Sequence, residues 1–197
     1  MGEPLRRRRS DAQRNLGSLL EAAKTVFADS GVNAPAKEIT DLAGVGVGTL
    51  YRHFPQRSDL VKAVLEREID TCAEAGPRLS ETHPPRDALV AWLDSYTELL
   101  ATKDGLAAAL HKGDPAFDAL ARYFMQRLGP VVAALLDAAR DRADVRGDVS
   151  ATDVLYAIGL LCIPAPGEAK EFNLRMVGVF VDGLLAGRQT VDGSSGS

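Results

Sequence analysis

Residues 43–55 read AGVGVGTLYRHFP, with Gly44, Gly46 and Gly48 at alternate positions ahead of Thr49, Tyr51, Arg52 and His53. Alternating glycines suggest a loop that cradles phosphate. Such a dinucleotide loop needs the spacing GxGxxG straight after a buried parallel strand, with an acidic residue about 20 positions on. Here the spacing is GxGxG, the Lys-Ser/Thr of a P-loop is missing, and KEITDLA before it carries Ile39, Leu42 and Ala43 at helical spacing. A helix-turn-helix fits instead, because that motif joins two steeply crossed helices by a short turn that often contains glycine. KEITDLA supplies the first helix, AGVG the turn and VGTLYRHF the second. Gly44 gives the turn its permissive backbone, and Val45 fills the angle. Leu50 and Phe54, four residues apart, anchor the second helix towards Phe27. Val47, Gly48, Thr49, Arg52 and His53 are then left to an outer face, with Tyr51 at its edge. Hydroxyl and imidazole groups suit phosphate oxygens, an aromatic ring suits a sugar or base edge, and a guanidinium suits either.

Outward from this stretch the chain reads as helix after helix. Leu16, Leu20, Ala23 and Phe27 form a stripe at helical spacing, with Gly31 placed to end that helix. Pro55 closes the VGTLYRHF helix, since the residue before proline disfavours the helical region. Ser58 is a candidate cap for the next helix, whose Leu60, Val61, Val64, Leu65 and Ile69 share one face. Gly76–Pro85, GPRLSETHPP, holds three of the ten prolines and reads as a linker or bend. Further helices are expected over 87–101, 105–112, 115–143, 151–162 and 168–187. No alternating strand pattern of useful length occurs. The fold class is therefore all-α, with about nine helices in a small head and a larger body. The expected divisions are a basic disordered arm over 1–13, a helix-turn-helix domain over 14–57 with a connecting helix over 58–75, a body over 76–190, and a disordered tail over 191–197.

The 197 residues are 46% hydrophobic and 25% charged, ordinary values for a globular chain. No apolar run approaches the roughly 20 residues of a membrane span, and no signal-peptide core follows Arg6–Arg9, so a cytoplasmic location is expected. Cys72 and Cys162 are far apart and lack the spacing of a zinc site, which implies two thiols. The charge is uneven. Lys and Arg outnumber Asp and Glu nine to six over residues 1–57, whereas the acidic residues lead twenty-one to fourteen over 58–197. A basic head on an acidic body points to a polyanionic partner for the head alone. His53, His83 and His111 are scattered, and neither HExxH nor GxSxG occurs, so no enzyme, metal or cofactor is indicated.

The segment from Arg14 to Val64 resembles the DNA-binding domain of the TetR family of bacterial transcriptional regulators. Phe27, Gly31, Ile39, Leu42, Ala43, Gly44, Val45, Thr49-Leu50-Tyr51-x-His53-Phe54 and Leu60 carry the likeness. The resemblance implies a regulator, most often a repressor, that binds a palindromic duplex operator as a homodimer and is released by a small-molecule effector. By position, Thr49, Tyr51, His53 and Arg57 are implied phosphate or backbone contacts, and Lys37 one to a base or phosphate. Val47 and Gly48 fall where the recognition helix meets the major groove. The chain departs from the family at Gly46, Val47 and Gly48, where polar side chains are common. Hydrogen-bonded readout must then come from Lys37, Thr49, Tyr51 or Arg52, while Val47 suits a thymine methyl. A glycine inside so short a helix, at about 1 kcal/mol relative to alanine, implies a helix that firms up on DNA. The Arg6–Arg9 tract suits an adjacent minor groove.

For the body, the resemblance implies that the last two helices pair with their copies. Leu155, Ile158, Leu161, Val177, Phe180, Val181 and Leu184 are the expected anchors, with Gly159, Gly178 and Gly183 allowing close approach. Trp92, Tyr96, Tyr123, Phe124, His111 and Cys162 are candidates for an effector pocket, together with Thr97, Phe117, Met125 and Tyr156. An apolar pocket with a few polar groups is the usual form. A nonspecific structural DNA-binding protein is the alternative, and an all-helical enzyme a more distant one.

Overall fold

The computed structural model describes residues 3–107, 115–163 and 170–186. Among them are eight α-helices and no strand: α1 (Glu3–Ser30), α2 (Ala36–Ala43), α3 (Val47–His53), α4 (Arg57–Thr82), α5 (Pro85–Ala107), α6 (Pro115–Arg140), α7 (Ala151–Leu161) and α8 (Lys170–Leu185). Two compact units emerge. The first comprises Met1–Thr71 with Ala101–Phe124, the second Cys72–Leu100 with Met125–Ser197.

In the first unit α1 buries Leu19, Ala22, Ala23, Val26 and Phe27. This is the i, i+3, i+4, i+7, i+8 pattern of a broad apolar face. Leu16 and Leu20, expected on this stripe with Ala23 and Phe27, are only half-buried. The backbone is helical from Glu3, so most of the arm expected over 1–13 belongs to α1. Gly31, at φ 77°, ends the helix with its N–H on the Phe27 carbonyl, 3.1 Å away. Salt bridges Lys24–Glu68 (2.7 Å) and Glu21–Arg67 (2.8 Å) tie α1 to α4, as does the bond from Arg67 Nη1 to the Gly17 carbonyl (3.1 Å). Leu60, Val61, Val64, Leu65 and Ile69 are buried along α4 as expected. Ser58 does not cap that helix. The Asp59 carboxylate instead accepts from the Gln56 N–H at 3.0 Å.

The second unit overturns the expected linker. Gly76–Pro85 is helix as far as Thr82, with Pro77 inside α4. An interior proline removes one backbone hydrogen bond and costs about 3 kcal/mol. Packing overrides it: a Cβ on Gly76 would lie 2.2 Å from Val131 Cγ1 and 3.6 Å from Trp92, so α4 passes its neighbours with no room to spare. Gly76 serves close approach, where a turn was expected. Around it Cys72, Ala73, Leu89, Trp92, Leu93, Leu128, Val132, Leu135 and Leu136 form the core. Ser150 and Asp153 make a capping box at the start of α7 (2.8 and 3.1 Å). These hydrogen bonds hold the Asp153 carboxyl below its ordinary pKa. Asn173 on α8 donates to the carbonyls of Leu161 (2.5 Å) and Ile163 (2.8 Å), closing the end of α7. The separate helix expected over 105–112 does not begin at Gly105, because Gly105–Ala107 are the last residues of α5; 108–112 and the 191–197 tail lie outside the described residues. No helix among the described residues is long and apolar enough to cross a membrane.

Candidate functional site

The Gly44 turn is built as its sequence demands. Gly44 sits at φ 68°, ψ 31°, its N–H bonding the Asp41 carbonyl (3.3 Å), while Val45 N–H reaches the Thr40 carbonyl (3.0 Å). This paired closure of the last turn needs a left-handed residue, hence glycine. Ile39 and Thr40 are buried, but Leu42, expected beside Ile39, is 57% exposed. The inward face of α2 runs through Ile39, Thr40 and Ala43, and Leu42 falls outside it.

Gly46 is extended (φ −75°, ψ 147°) and opens α3, whose Leu50 is buried. Phe54 terminates the helix with its N–H on the Leu50 carbonyl (2.8 Å) and is itself buried. With these two anchored, Val47 (39% exposed) and Tyr51 (55% exposed) face outward one turn apart. Gly48, Arg52 and His53 are also exposed, and Thr49 is half-buried. Arg52 and His53 occupy the last turn, where positive charge complements the helix dipole. Lys37 is exposed on α2 and paired with Asp41 (2.7 Å).

Arg57 is placed otherwise than its residue type suggests. Its Nε donates to the Val32 carbonyl at 2.7 Å and its Nη2 to the Ala34 carbonyl at 2.6 Å, with the guanidinium 4.8 Å above the Phe27 ring. Burial lowers its pKa, which nearby Tyr51 partly offsets. The start of α4 is thereby clamped to the connection between α1 and α2. Val32 and Ala34 lie in the turn and bend between α1 and α2, outside either helix, and only the fold brings Arg57 to their carbonyls.

The candidates for an effector pocket divide. Trp92 and Tyr96 stack at 5.6 Å between ring centroids in the core of the second unit. Trp92 Nε1 donates to the Cys72 carbonyl (2.9 Å), and Tyr96 OH to the Leu155 carbonyl (2.8 Å). Burial, with Cys162 and Cys72 nearby, raises the Tyr96 hydroxyl pKa well above its ordinary value. Thr97 is buried, its hydroxyl on the Leu93 carbonyl (2.8 Å). Cys162 and Met125 are half-buried in the same unit, and both cysteines are thiols. Tyr123 and half-buried Phe124 belong to the first unit, where Tyr123 OH donates to Asp70 Oδ1 (2.7 Å). His111 and the Phe117 side chain lie outside the described residues.

The residues expected to face a partner divide by burial. Leu155, Ile158, Val177 and Leu184 are buried within the single chain, and Leu161, Phe180 and Val181 are half-buried. The outward apolar side chains are Tyr156, Leu160, Ile163, Leu174 and Val179, with Leu160 68% exposed. A Cβ on Gly178 or Gly183 would meet nothing within 4 Å. Among the described residues no group of three His, Cys, Asp or Glu side chains could hold a metal.

Comparison with known proteins finds two matching segments of the chain. Residues 19–64 match the family described as bacterial regulatory proteins, tetR family, and residues 84–186 match the SbtR-like transcriptional regulator C-terminal domain. A TetR transcription regulatory protein from Mycobacterium vanbaalenii shares 32% identity with a TM-score of 0.72, over 90% of this chain and 98% of that one. A TetR regulator from Streptomyces coelicolor shares 31% identity with a TM-score of 0.67, over 86% and 97%. An HTH-type transcriptional regulator of Staphylococcus aureus is 34% identical over 100 residues, 48% of this chain. The chain spans about half the length of that curated relative, 52% of it.

Proposed function

The chain belongs to the TetR family of bacterial regulatory proteins, and from that membership we propose that it is a DNA-binding transcriptional repressor. It binds a palindromic duplex operator as a homodimer and is released by a small-molecule effector. The observation that carries this reading is α3: Leu50 and Phe54 are sunk into the head, while Val47, Gly48, Tyr51, Arg52 and His53 face outward. A short helix anchored from behind by these two side chains, with a basic last turn, suits the major groove and its flanking phosphates. Lys37 and Thr49 add contacts at the margin, and Arg57 braces the head from within.

Two-fold symmetry would set the two α3 helices about one turn of DNA apart, roughly 34–36 Å. We assign the partner-facing surface to the outward side of α7 and α8, through Tyr156, Leu160, Leu174 and Val179, with Gly178 and Gly183 permitting close approach. The effector enters the body near the stacked Trp92–Tyr96 pair and shifts the population between two arrangements of the heads. Selection of bound fragments from a random duplex pool tests the reading by yielding a palindrome. Binding to that duplex and to a scrambled one at two salt concentrations follows. A regulator keeps its preference at high salt, whereas a nonspecific structural protein loses binding to both. Sedimentation as a stable monomer at micromolar concentration would refute the dimer.

A further inference from the structure

Gly48 stands inside α3, where glycine is less favourable than every residue but proline. A Cβ built on Gly46 or Gly48 meets nothing within 4 Å, and neither residue has a left-handed backbone. Packing within the chain therefore requires neither glycine. What the two glycines achieve is a bare stretch of backbone on either side of Val47. That side chain is exposed, and Tyr51 continues the same face one turn on. Thr49 is half-buried, and Arg52 and His53 occupy the far turn of the helix. The opening turn of α3 thus presents two methyl groups and peptide backbone. A β-branched side chain in a helix keeps one dominant rotamer, so those methyls are held in place before any partner arrives.

In the major groove, base edges offer donors and acceptors, and thymine alone adds an apolar group, its C5 methyl. A valine flanked by glycines makes no hydrogen bond to a base edge, but it can bury that methyl while the bare backbone comes close. We infer that Val47 reads a 5-methylpyrimidine, so that each half-site of the operator is specified at one position by a methyl group. This rests on the DNA-binding reading above. Thymine and 5-methylcytosine share the chemistry, and the test separates them.

The duplex recovered from the random pool is remade with uracil replacing one thymine at a time, and affinity is measured for the full-length protein and for Val47→Ala. The substitution lies at an exposed position and favours helix, so the variant folds. One thymine per half-site should lose about fourfold in affinity on conversion to uracil, the factor for one buried carbon group. In Val47→Ala the same conversion should cost less than half as much. At that position cytosine should bind more weakly than 5-methylcytosine, which marks methylated sites as a second source of the signal; equal binding of the two confines recognition to thymine. Gly48→Ala should weaken binding while leaving the head at least as stable. The inference is overturned if no uracil position costs affinity, or if the cost is the same with Val47→Ala. If the pool yields no preferred duplex, the DNA-binding reading fails first.

Discussion

Tyr51 and Tyr96 are the same side chain put to opposite uses. Tyr51 stands 55% exposed on α3, supported from behind by buried Leu50. Tyr96 is 1% exposed, stacked on Trp92, with its hydroxyl on the Leu155 carbonyl. In the head, polar and aromatic groups project from a small apolar centre. In the body, the largest aromatic groups are the centre. Aromatic residues in the body therefore first hold the fold, in a framework whose hydrogen bonds are already made.

This contrast predicts a ranking. Trp92→Ala should be the most damaging change, destabilising by about 3–5 kcal/mol, as read from urea unfolding followed by circular dichroism. A loss under 1 kcal/mol would mean that the body is far looser than its packing implies. Arg57→Gln comes next, with a loss on the order of 2 kcal/mol for charge-assisted bonds to Val32 and Ala34. Its more telling readout is salt: the slope of log affinity against log salt should stay unchanged. A slope shallower by about 0.9 would make Arg57 a phosphate contact after all. The two tyrosines form the third test. Tyr96→Phe should cost about 1 kcal/mol of stability, whereas Tyr51→Phe should stay within about 0.5 kcal/mol and weaken operator binding instead. Reversal of that pattern in paired melting and binding measurements would erase the division between head and body.

The smallest effect belongs to Asp94, whose pKa is raised by burial and by Glu98 nearby. A carboxyl with a raised folded pKa contributes stability below its unfolded pKa and loses it as pH rises through the folded value. Asp94→Asn should therefore melt slightly above the parent at pH 7, by a few tenths of a kcal/mol because the group is largely solvated. That gap should close as the pH is lowered toward 4; a gap of equal size at both pH values would contradict the assignment.

The head was legible where the signals were local. Gly31 and Gly44 end helices through left-handed backbone, and Leu50 and Phe54 repeat at helical spacing, so neighbouring residues alone announce them. The bracing bonds of Arg57 were not legible, because the carbonyls it binds lie 25 and 23 residues away in sequence. Pro77 misled, a local breaker outweighed by contacts from α5 and α6. For α7 and α8 the difficulty was contrast. Both are apolar nearly all round, so periodicity could not choose between Leu155 or Ile158 inside and Tyr156 or Leu160 outside.

Gly76 leaves space for a hydrogen atom and nothing larger, since Val131 stands where a methyl group would go. That sets a boundary on inherited change at this crossing. A variant there must alter two helices at once or be cleared by proteolysis before it can regulate anything. At Gly48, where a Cβ would meet nothing within 4 Å, a side chain can be gained without disturbing the fold.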